Sequence, residues 1–114
     1  AAARDAYLAA WRLYTFGRWP VASSPEKLRC QGLARAAFER YGALLAPPIE
    51  TWRIPFEHTE IVALVQKPAA ARPPVLVSIG GSDLWNDHVA AQSRVFLRHQ
   101  LGEADPADDA FGFR

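Results

Sequence analysis

Between residues 5 and 18, Tyr7, Trp11 and Tyr14 recur at i, i+4 and i+7 with Leu8 beside them, one face of an amphipathic helix. Gly17 and Pro20 are read as its end. A second helix is predicted to open at Ser24, a residue type that caps first-turn N–H groups, with Pro25 at the first helical position and Glu26 at the positive end of the helix dipole. Its apolar stripe runs through Cys30, Leu33, Ala34, Ala37, Phe38, Tyr41, Leu44 and Leu45, and Pro47-Pro48 stops it.

From Ile49 the period shortens to two. Trp52, Ile54 and Phe56 alternate with Arg53 and Glu57, Glu57-His58-Thr59 makes a turn, and Ile61 to Val65 gives a second β-type run, so a hairpin is expected. Pro55 removes a ladder donor and therefore implies an edge position or a bulge. Residues 68–74 hold three prolines and no hydrophobic pattern, as in a stiff surface connection joining two parts of one sheet. Val75 to Ile79 is apolar on both faces, which suits a strand buried from both sides. Gly80-Gly81 breaks it, and Val89, Phe96 and Leu97 recur at helical spacing to about residue 99. The chain thus reads as α/β: a helical segment at 1–47; a hairpin, strand, Gly-Gly turn and helix at 48–101; and an irregular tail at 102–114.

The totals narrow the function classes. At 114 residues, 50% hydrophobic and 22% charged, the chain has ordinary soluble-globular composition and the size of one small domain. The 13 basic and 12 acidic side chains leave a net charge of +1, which implies neither nucleic acid nor an anionic membrane as partner. Lys27, Arg29, Arg35 and Arg40 accordingly read as a solvated helix face rather than a DNA-reading one. No apolar run approaches the roughly 20 residues that cross a bilayer, and no leader pattern opens the chain. Cys30 is the single cysteine, so neither a disulfide framework nor a paired-cysteine metal site is expected, and a cytoplasmic location is the default. The lack of any Met and the patternless tail suggest an excerpt of a longer polypeptide.

The chemistry concentrates at Gly80-Gly81-Ser82-Asp83. Glycines at the carboxyl end of a buried strand let backbone N–H groups approach an oxyanion or phosphate, and a following helix start adds positive potential, although the same glycines also serve a plain tight turn. Neither the dinucleotide fingerprint nor a phosphate-loop lysine accompanies them. His58, His88 and His99 fall in no ligand pattern. Asp83, Asp87 and His88 gather at a helix start, where acidic residues are expected without any ion, so no metal is predicted. None of Ser23, Ser24, Ser78, Ser82 and Ser93 lies in a G-x-S-x-G elbow, which leaves the chain without an identifiable nucleophile. Trp11, Tyr14, Phe16 and Trp19 serve as core or cap packing, or line a pocket.

Taken in order, the chain resembles the FrsA-like branch of the α/β hydrolases, which includes dihydropseudooxynicotine hydrolase. The resemblance rests on Phe38-Glu-Arg-Tyr, on Leu45-Ala-Pro-Pro-Ile-Glu, on Trp52-Arg-Ile-Pro-Phe-Glu with Ile61 to Pro68, and on Arg72-Pro-Pro-Val-Leu-Val-Ser-Ile-Gly-Gly-Ser-Asp, and it covers about residues 5–100. It implies that 1–47 is part of a cap and 48–101 the start of an α/β-hydrolase core, in a serine hydrolase that uses a Ser-His-Asp triad and no cofactor. Members cleave esters or carbon–carbon bonds next to ketones. By position the oxyanion-hole N–H groups would fall on Gly81 or Ser82, and the first-helix aromatics Trp11 and Tyr14 would shape a pocket for a small-molecule substrate. The nucleophile, triad acid and triad histidine all belong to fold regions beyond residue 100 and have no counterpart here. The alternative expectation is a non-catalytic module that complements a second copy or another chain along an open sheet edge.

Overall fold

A computed structural model of the chain describes residues 1–80, Trp85, Asp87 and residues 89–91. The chain divides into two compact units, Ala1–Pro74 and Val75–Arg114. The first holds two helices, α1 (Ala2–Arg18) and α2 (Pro25–Ala43), followed by an antiparallel two-stranded sheet of β1 (Ile49–Phe56) and β2 (Thr59–Gln66). It is a small mixed α/β arrangement.

Helix α1 begins at Ala2, earlier than the aromatic spacing predicts, because alanine is the best helix former and Asp5 in the first turn suits the positive dipole end. It stops where Pro20 requires: Trp19 is extended (φ −70°, ψ 148°), the conformation imposed on a residue before proline. Gly17 does not end the helix as expected but lies inside it. A Cβ there would sit 2.9 Å from Cys30 Sγ, so this glycine serves the close approach of α1 to α2.

Helix α2 starts as its sequence predicts. Ser24 is extended and its Oγ accepts from the Lys27 N–H at 3.2 Å, with Pro25 and Glu26 opening the first turn. The helix closes ahead of Pro47, with the Leu44 N–H on the Tyr41 carbonyl at 3.1 Å and the Leu45 N–H on the Gly42 carbonyl at 3.2 Å. Trp11, Ala34, Ala37, Phe38 and Leu45 are buried. The Trp11 and Phe38 rings meet at 5.3 Å and 53°, and Phe38 meets Tyr41 at 5.7 Å. Full burial of one large apolar side chain contributes about 1.5–3 kcal/mol, so the two rings outweigh the alanines between them. Leu33 and Leu44, on the predicted stripe, remain exposed.

The hairpin forms as predicted, with a tighter turn. Phe56 pairs with Thr59, leaving only Glu57 and His58 between the strands, and Glu57 takes a left-handed φ of 50°. Pro55 stands opposite Glu60 in unbroken register, so it sits on an edge and marks no bulge. With Phe56 and Thr59 as the bonded pair beside the turn, Pro55 falls at a non-bonded position, where its missing N–H costs the ladder nothing. At the open end Ile49 abuts Gly42, whose Cβ, if present, would lie 3.0 Å from Ile49 Cβ. Gln66 Nε2 also donates to the Pro47 carbonyl at 2.6 Å. Strand alternation puts Trp52, Ile54 and Phe56 on the face away from Ile49, together with Ile61, the cross-strand partner of Ile54. Their exposures are 43%, 44%, 51% and 48%.

In the second unit the expected buried strand is not observed. Val75, Leu76, Val77 and Ile79 are exposed and join no ladder, the sheet among the described residues having two strands. A strand apolar on both faces acquires burial only from neighbours on each side. The expected helix does begin: Asp87 and residues 89–91 are helical, and the Val89 N–H donates to the Trp85 carbonyl at 3.0 Å. Phe96, Leu97 and the tail at 102–114 lie outside the described residues.

Two glycines on α2 should respond oppositely to alanine. At Gly32 an added Cβ has nothing within 4 Å, so Gly32→Ala should raise stability by about 0.5–1 kcal/mol through helix propensity. At Gly42 the obstacle is Ile49 Cβ, which moves only with its backbone, so Gly42→Ala should cost about 1–3 kcal/mol. Thermal unfolding of the two variants checks this, and the reverse order would show that β1 does not rest on α2. Glu57→Gly should add about 1–2 kcal/mol by relieving the left-handed φ. The denaturant midpoint reads it, and no change would mean the turn is not formed as described.

Candidate functional site

Trp11 and Tyr14, neighbours on one face of α1, occupy different environments. Trp11 is 2% exposed and packed on Phe38 within the helix pair, whereas Tyr14 is half-buried at its flank. Leu13 and Phe16, on the outer side of α1, are 74% and 84% exposed. Tyr7 lies beside α2, where Arg40 Nη1 donates to Tyr7 Oη at 3.4 Å and the guanidinium stands 5.8 Å from the ring centroid. An apolar outer stripe on a helix whose inner face is already packed suits an element with surfaces on two sides.

Of the strand, glycine turn and helix sequence, the structure describes the approach and the exit. Gly80 is half-buried, and Trp85 opens the helix through its carbonyl. Gly81, Ser82 and Asp83 lie outside the described residues, as do His88, Ser93 and His99. Asp87 is buried at 5% exposure. His58 occupies the exposed hairpin turn, as expected from its position. Ser24 Oγ is engaged as the N-cap of α2, which gives that hydroxyl a structural role. Among the described residues, no group of three or more His, Cys, Asp or Glu side chains could hold a metal ion. None of their helices is long and apolar enough to cross a membrane.

Strand alternation alone did not single out a cluster at the open end of the hairpin. Trp52 Nε1 donates to Glu50 Oε2 at 2.9 Å, while Lys67 Nζ stands 3.1 Å from Glu50 Oε1 and 5.5 Å from the Trp52 ring centroid. Glu50 and Trp52 are two residues apart and so share a face. Lys67 reaches them because the two-residue turn sets the register, and a turn longer by one residue would have sent its side chain to the other face. The Trp52 indole N–H and then Lys67 hold the Glu50 carboxyl below its ordinary value. Arg53 and Glu60 pair at 3.4 Å on the opposite face. These pairs are exposed, and exposed pairs of this kind contribute little to stability.

No family model matches the chain, and neither a curated protein nor a solved structure matches it.

The Glu50 contacts set a pH dependence with a definite sign. The carboxyl is held below its usual 4.5 in the folded hairpin, so its contribution is present above that value and is lost as pH falls through the folded pKa. Acidification below 4.5 should therefore lower the unfolding midpoint more for the natural chain than for Glu50→Gln. Equal acid sensitivity in the two proteins would show that the Trp52 and Lys67 contacts are not made in solution.

Proposed function

We propose that this chain is the N-terminal part of a serine hydrolase that cleaves an ester, or a carbon–carbon bond next to a ketone, and that it contributes cap helices and the oxyanion-hole loop. The observation that carries the reading is apolar surface left open on each kind of element: Leu13 and Phe16 on α1, Trp52, Ile54, Phe56 and Ile61 on the hairpin, and Val75, Leu76, Val77 and Ile79 before the glycines. A finished small domain rarely leaves this much uncovered, whereas cap and edge elements of a larger α/β fold meet further layers there. The sequence resemblance to the FrsA-like hydrolases supplies the reaction class. The polypeptide as a whole would work in the cytoplasm and without a cofactor.

In this reading Tyr14 contacts the small-molecule substrate, and Trp11 shapes the pocket from beneath by fixing α1 on α2 through Phe38. Backbone N–H groups of Gly81 and Ser82 stabilise the oxygen that becomes negative when an activated serine attacks the carbonyl. Fixed donors aimed at that oxygen favour the transition state over the ground state, and loss of one typically lowers turnover about 10²–10³-fold. The nucleophile, its histidine and the triad acid come from further along the parent polypeptide.

A second reading draws on the sheet itself. A two-stranded sheet has two outer edges, to which another chain or a second copy can add a strand.

The discriminating experiment combines a fluorophosphonate probe with intact-mass measurement. The 114-residue chain alone should gain no label, and the parent polypeptide should gain one. Within that parent, Gly81→Pro, which removes an N–H, should reduce ester turnover about 10²-fold with the helical circular dichroism retained. An unlabelled parent polypeptide that associates through its sheet edge would replace the hydrolase reading with the assembly module. Unchanged turnover in a folded Gly81→Pro variant would remove Gly81 from the oxyanion hole.

A further inference from the structure

We draw no further inference here: the strongest candidate, the open apolar face of the hairpin carrying Trp52, Ile54, Phe56 and Ile61, carries nothing because nothing in the structure shows what covers it.

Discussion

The Trp11 indole and the Phe38 ring meet at 5.3 Å in a helix pair whose other buried members on α2 are Ala34, Ala37 and Gly42. Small residues let the helices come close, but they bury little area of their own, so the two aromatic rings carry most of the apolar burial between the layers. The hairpin inherits its position from the same pair. Gly42 at the end of α2 admits Ile49, and from Ile49 the strands run outward to the Glu57-His58 turn. Within Ala1–Pro74 each later element therefore packs on the one before it in the chain.

That economy leaves the first unit lopsided. One face of α1 is packed and the other shows Leu13 and Phe16, while the hairpin gives Ile49 to α2 and keeps its wider apolar face open. Apolar side chains contribute to stability only when something removes them from water. The hydrolase reading and the assembly reading are two answers to the question of what does so. In the first, further layers of the same polypeptide supply the cover; in the second, another chain supplies it.

Local signals in the sequence were legible where one residue type dictates one geometry. Ser24-Pro25-Glu26 marked a helix start, Pro20 ended α1 through Trp19, and the change of period at Ile49 marked the hairpin. What stayed hidden depended on contact between elements. Gly17 looked like a terminator because its reason for being glycine is Cys30 on another helix. Trp11 and Tyr14 looked alike on one face, although Trp11 is buried against Phe38 and Tyr14 is only half-buried. The Glu50, Trp52 and Lys67 cluster required the register, which the turn length decides. For Val75 to Ile79, apolar character on both faces announced a need for cover without showing what would meet it. Gly81 and Ser82 lie outside the described residues, so the sequence remains the basis for their proposed role.

The adjacency of the contacts also has a kinetic side. In Ala1–Pro74 the main contacts join α1 to α2, α2 to β1 and β1 to β2, each pair consecutive in the chain. Local contacts of this kind require little loop closure and favour folding on the microsecond to millisecond scale, whereas pairing between distant segments is slower. The unit can therefore adopt its shape early, with its apolar faces exposed. Apolar surface left open in this way favours aggregation for as long as nothing covers it.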